Sequence, residues 1–379
     1  MDIGKVFIPI CSHSGNHRNR LMKGSVSPLI AKTFPLCILP AGGLVCYCHG
    51  RILVLHEKEE GKSFSLPISN KENLLGWNKK LARLLRFGVR SAVAIDNNNV
   101  CLSIGDYIYE TNLQTGSTTN GFCCGAGIRP LAFSNVKSVN GFEDGIYFGG
   151  YIHNFDKEPV SIYKRKGTDK WEAVFTFPKG AINHVHNVIP DPYRNCLWIF
   201  TGDFGDSAAI WKATNGFKGV ERVVYGDQKW RGCVVFALPE GLLYATDTPF
   251  SKNYIYLLKE DGSVDTVGKL SGSCIYGCQW KDKYVFSSTV EPDGRNESLM
   301  KLLFSKERGA GIEDDYVRIY IGNLETGFAE IYKEKKDRLP YLFQFGAFKF
   351  PEGVNNTDTL FFQPVATNTN DLNLMAYIE

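Results

Sequence analysis

Apolar residues along this chain come in short runs, alternating or continuous, broken by Gly, Asn, Asp and Pro, and the pattern is that of strands. The stretch 182–203 shows the unit. His184 and His186 lie two residues apart and so point to one side of an extended strand. A turn follows at Pro190-Asp191-Pro192-Tyr193-Arg194-Asn195, and an apolar run from Cys196 to Phe200 leads into Gly202-Asp203. Strand, turn, strand predicts a hairpin with the histidines and Asp203 at one edge.

The hairpin recurs. Starts with a polar or aromatic residue running into an apolar strand fall at Arg90, Arg129, His184, Arg231 and Tyr276, with a later one near Gln344 and an early one before Leu44. Second strands match as well, at Gly145, Leu197, Leu242 and Tyr284. An interval of roughly forty to fifty-five residues is the range of four-stranded propeller blades. Seven such units over 379 residues average roughly 54 each, which predicts an all-β propeller of seven four-stranded blades, six being the near alternative, in one domain spanning residues 1–379.

Two stretches break the strand pattern. Residues 71–87 place Leu74, Trp77, Leu81, Leu84 and Leu85 on one side of a helix, with Asn70 as cap and Gly88 as stop. Residues 298–306 predict a shorter helix with Leu299, Met300, Leu302 and Leu303 as packing positions. Lys333 to Arg338 alternates in charge and reads as a solvated turn. The terminal Leu374-Met-Ala-Tyr-Ile378 is strand-like, and either it or Lys5 to Ile10 is expected to close the ring against the opposite terminus.

A composition of 44% hydrophobic and 13% aromatic residues supports a large core, and a net charge of +3 is too small for bulk nucleic-acid binding. Met1 to Ile10 has one Lys and a short apolar run, neither a signal peptide nor a membrane span. The expectation is a cytoplasmic protein for the chain as it stands, or a secreted one if an upstream signal was removed. The 11 cysteines read as reduced thiols, because the close pairs Cys46/Cys48, Cys123/Cys124 and Cys274/Cys278 lack zinc-ribbon spacing. The sequence leaves the oligomeric state open.

In a propeller the first strand of each blade lines the central channel, and its start shares a face with the end of the second strand. Arg90, Arg129, His184, His186, Arg231 and Tyr276 should therefore ring one mouth, with His153, Asp203, Asp247 and Glu291 around it and both helical inserts opening on the same face. Arginines suit a carboxylate or sulfate, and a histidine suits a general base. Tyr151, Trp230 and Tyr276 suit stacking on a sugar ring, and the acidic residues suit sugar hydroxyls or acid chemistry. Neutral imidazoles at His153, His184 and His186 also suit a divalent metal such as Mn or Zn, with Ca as a further candidate. His13, His17, His49 and His56 have no place in the repeat.

The third and fourth strands repeat most clearly at Ile162-Tyr-Lys with Trp171-Glu-Ala-Val174, and at Ile210-Trp-Lys with Val220-Glu-Arg-Val223. This pairing resembles a degenerate Asp-box, the turn of sialidase-like propellers, with Asn215 standing nearest to the missing acidic residue. The types and places of the mouth residues also resemble propeller polysaccharide lyases such as the ulvan and oligogalacturonate lyases. That resemblance implies β-elimination on an acidic oligosaccharide or polysaccharide, with His184 or His186 as base, Tyr276 as acid, and Arg90, Arg129 and Arg231 as the carboxylate clamp. A sialidase-like glycoside hydrolase and a non-catalytic binding propeller are the competing expectations.

Overall fold

The computed structural model describes residues 24–56, 61–66, 78–86, 88–125, 127–294 and 298–379. Seven antiparallel sheets of four strands each form the blades of a propeller. Blade 1 begins at Phe34–Ile38, blade 2 at Ser91–Ala94, blade 3 at Arg129–Val136 and blade 4 at His184–Asp191. Blades 5, 6 and 7 begin at Gly232–Leu238, Tyr276–Trp280 and Ala347–Lys349. The last six of these inner strands begin close to the expected hairpin starts, the first lies before Leu44 as expected, and the count is seven.

Ring closure uses the C-terminal strand as expected, but its N-terminal partner is Ser25–Ile30, which pairs antiparallel with Leu374–Ile378 from Ser25 opposite Ile378 onward. The last blade thus takes three strands from the end of the chain and its outermost from the beginning. Lys5 to Ile10 lies outside the described residues. A two-residue strand, Val354–Asn355, also pairs parallel to Tyr276–Trp280 and ties blade 7 to blade 6.

The core lies between blades, where the faces of neighbouring sheets meet. Val136, Tyr147, Ile162 and Phe177 of blade 3 pack against Val185, Val188, Leu197 and Ile199 of blade 4. Trp198 and Phe200 of blade 4 meet Trp230, Val235 and Tyr244 at blade 5. Burying each such side chain contributes about 1.5–3 kcal/mol.

The first insert forms a helix only over Lys79–Leu85 among the described residues (α1). Its cap is Asn78, whose Oδ1 accepts from the amides of Lys80 and Leu81, and it ends at Arg86 in the left-handed conformation, shortly before the expected Gly88. Asn70, Leu74 and Trp77 lie outside the described residues. The anchor is not the leucine stripe: Leu85 is exposed, and the residue α1 buries is Arg83. Its guanidinium bonds Asp337, reaches Asp371 at 3.3 Å and donates to Phe343 O at 2.7 Å. The second insert forms Leu299–Phe304 (α2), capped by Ser298. Met300 and Phe304 are exposed there, and both helices rest on the turn Tyr341–Phe343. Lys333 to Arg338 is not a solvated turn. Lys333 to Lys335 complete the outer strand Gly327–Lys335 of blade 6, and Lys336 is buried, donating to Leu339 O at 2.8 Å.

Arg83→Met keeps the apolar stem and leaves two carboxylates facing each other. It should cost about 3 kcal/mol, the range for breaking a buried ion pair. Urea unfolding measures this, and an unchanged midpoint would show that α1 is not anchored through its arginine.

Candidate active site

The hairpin of blade 4 carries a bulge that sets the site. Val185 pairs with Thr201 and Asn187 with Phe200, so His186 is the extra residue. Bulges of this kind re-aim a side chain, and here the two imidazoles meet, His184 Nε2 lying 3.0 Å from His186 Nε2. Gly202 makes room for the turned ring, because a Cβ there would come within 2.3 Å of His186 Cε1.

Each ring has its other nitrogen tied to the backbone. His184 Nδ1 lies 3.1 Å from Ile152 O and His186 Nδ1 lies 3.2 Å from Gly232 O. A carbonyl only accepts, so in each neutral ring the proton sits on Nδ1 and the lone pair on Nε2. Both lone pairs converge on Asp203, whose Oδ1 is 3.0 Å from His186 Nε2 and 3.4 Å from His184 Nε2. Three acceptors in one small triangle need a positive partner.

Arg231 supplies part of it. Its Nε is 3.2 Å from Asp203 Oδ1 and its Nη2 is 3.4 Å from Asp247 Oδ2, and Cys233 Sγ also donates to Asp247 Oδ2 at 3.3 Å. Burial opposes the charge of Asp203, but Arg231 holds its carboxyl well below the ordinary range. Burial lowers the pKa of His184, against the pull of Asp203, which keeps the ring neutral. Glu291, buried beside Asp247, is raised to about 7 by desolvation and then by that neighbour's charge. Arg231 is thus held between two acidic side chains.

The remaining expected residues divide. Tyr151 lies over His184 with ring centres 4.4 Å apart, and Arg129 sits 5.9 Å from the Tyr151 ring. Arg90, His186 and Tyr276 line one cavity of about 260 Å³ in the central channel. Burial pushes the Tyr276 hydroxyl up to about 12, so it stays protonated at neutral pH. Trp230 is 8% exposed in the core between blades 4 and 5, away from any sugar-binding surface. His153 is exposed and stacks edge-on against Phe155 at 4.3 Å, outside the imidazole cluster. Sequence reasoning missed Cys233 and Lys349. Cys233 stands on the inner strand two residues after Arg231, and Lys349 on the inner strand of blade 7, whose start near Gln344 was found without being read for chemistry.

No protein-family model and no curated protein matches the sequence. Solved structures match over nearly the whole chain. An oligogalacturonate lyase in complex with manganese superposes with a TM-score of 0.55 at 10% identity, covering 94% of this chain and 98% of its own. A chain of a mitotic checkpoint complex gives 0.54 at 8% identity, covering 98% of each. The β-propeller domain of Myceliophteria thermophila Cps50 (Swd1) gives 0.53 at 8% identity, covering 94% of this chain and 100% of its own. At such identities the likeness establishes the propeller fold, which lyases and binding modules share. No helix among the described residues is long and apolar enough to cross a membrane.

The neutral state of His184 has a pH consequence. Its folded pKa lies below the ordinary 6.5, so as the pH falls through 6.5 the unfolded chain takes up the proton first and the fold loses stability. His184→Gln removes that loss. Its melting temperature should rise relative to wild type on going from about pH 7.5 to about pH 5.5, and a difference independent of pH would contradict the assignment.

Proposed function

We propose that the chain is a carbohydrate-active enzyme that cleaves carboxylated glycans by β-elimination at the channel mouth. The observation that carries this reading is the convergence of two imidazole lone pairs and a carboxylate near arginines that have no acidic ion-pair partner among the described residues. Proton abstraction next to a carboxylate requires its charge to be neutralised. Arg90 and Arg129 form no ion pair among the described residues and are free for that task, whereas Arg231 is engaged by Asp203 and Asp247. The clamp in this reading is therefore Arg90 and Arg129, and Arg231 positions the two acids.

In this reading His186, which lines the cavity, takes the proton on Nε2, and Asp203 stabilises the imidazolium that results. Tyr276, protonated at neutral pH, gives its proton to the leaving glycosidic oxygen. A cavity of about 260 Å³ is below the range for drug-sized ligands and fits one charged sugar unit at the point of cleavage.

His184 Nε2, His186 Nε2 and Asp203 Oδ1 lie close enough together to hold a metal ion. Two nitrogens and one oxygen suit Mn or Zn better than Ca, which prefers oxygen, and the backbone carbonyls on both Nδ1 atoms are the usual support of metal-binding histidines. A bound ion would add positive charge to neutralise the substrate carboxylate but would occupy the Nε2 lone pair, so His186 serves as base only in the metal-free protein.

A sialidase-like hydrolase ranks lower because no tyrosine–glutamate hydrogen bond is found at the mouth among the described residues. One such bond, Tyr332 to Glu334, lies on the outer strand of blade 6. A binding propeller would use a broad rim in place of a narrow pocket in which His and Arg share one wall.

The test is a screen of the purified protein against uronate-bearing oligosaccharides, followed by the ultraviolet absorbance of the unsaturated product and by reducing ends. The wild type should generate the absorbance, and His186→Ala should lower the rate by about 10²–10⁴-fold, the usual worth of a general base. Reducing ends without absorbance would replace elimination with hydrolysis. Binding with neither signal would make the protein a glycan-binding module.

A further inference from the structure

Lys349 is a second cation lining the cavity of Arg90, and the reaction proposed above does not use it. Lys349 leaves the inner strand of blade 7 with its Nζ between two rings, 5.2 Å from the centre of Phe34 and 5.5 Å from that of Tyr276. Aromatic faces attract an ammonium but supply no hydrogen-bond acceptor. Among the described residues Lys349 forms no ion pair and its Nζ has no hydrogen bond. Burial, and then the repulsion of Arg86 at the end of α1 and Arg90 at the start of blade 2, push the amine down to about 8. Arg90 is buried enough to feel Arg129 and Arg86 in turn, and half-buried Asp106 and Tyr276 act in the opposite sense. Glu352, three residues further along the channel wall, has its carboxyl raised to about 7 by burial, which weakens it as a counter-ion, and it makes no ion pair with Lys349.

Like charges held together in a half-buried cavity destabilise the empty protein, and an entering anion reverses that cost. The guanidinium of Arg90 offers a planar fork and Lys349 three donors, and both line the same cavity. We propose that Lys349 and Arg90 form an oxyanion-binding site within the central channel that takes a carboxylate or sulfate group of a sugar. Phe34 and Tyr276 hold the ammonium in place, so the ligand meets a cation that is already positioned. The site concerns binding alone and stands whether or not the chain catalyses elimination.

Calorimetric titration of the full chain with sodium sulfate and, separately, with galacturonate tests this, using wild type, Lys349→Met and Arg90→Met. Each substitution removes a charged hydrogen-bond donor and should weaken binding about tenfold or more. Lys349→Met also relieves repulsion and should melt no lower than wild type, so loss of binding would not reflect unfolding. Saturable galacturonate binding weakened in both variants supports a carboxylate site, and sulfate binding weakened without any galacturonate binding assigns the site to a sulfate group. Equal affinity in wild type and Lys349→Met, or no saturation by either anion, overturns the proposal. Anion binding that depends on Lys349 in a protein without eliminating activity would refute the lyase alone, and elimination with anion binding indifferent to Lys349 would refute this site alone.

Discussion

Seven inner strands can share one axis only if the ring of sheets is closed, and closure here depends on one antiparallel ladder between Ser25–Ile30 and Leu374–Ile378. Without it the first and last blades would present open edges, and the channel would lose its fixed diameter. With it, residues nearly as far apart in sequence as Phe34 and Lys349 come to face one another across a single cavity. The chemistry of the mouth is a consequence of that geometry, because side chains from several blades meet there.

Within this frame Asp203 is the hub of the charge network. Its one oxygen faces two imidazoles and a guanidinium at 3.0 to 3.4 Å. Arg231 then joins Asp203 to Asp247, and Asp247 acts on Glu291. The acidic side of the mouth, on blades 4 to 6, has its own counter-ion in Arg231, which two aspartates share. On the basic side, Arg86, Arg90, Arg129 and Lys349 form no ion pair among the described residues. This asymmetry gathers unpaired cations and the imidazole pair around one channel.

Much of the fold was legible in the sequence because a propeller repeats its signal. Each blade restates the same hairpin, so errors in one unit are corrected by the others, and the starts at Arg129, His184 and Tyr276 coincide with strand starts. Single features without a repeat were harder to read. Arg83 carries no apolar signal, and its burial depends on Asp337 and Asp371, more than two hundred residues away. Trp230 follows the periodicity of a mouth residue but turns into the inter-blade core, because the short helical turn Gln228–Trp230 rotates it away from the channel. The pairing of Arg231 with two carboxylates also could not be read from spacing, since it joins the second strands of two different blades. The one-residue bulge at His186, which creates the imidazole contact, leaves no mark in an alternating pattern.

The most direct measurement of the central claim is a crystal structure of the His186→Ala protein with a uronate oligosaccharide bound. The account predicts one uronate ring at the channel mouth, its carboxylate on the Arg90 and Arg129 side and its glycosidic oxygen near Tyr276. A glycan bound along the outer strands of the blades, with the mouth free of sugar, would contradict it.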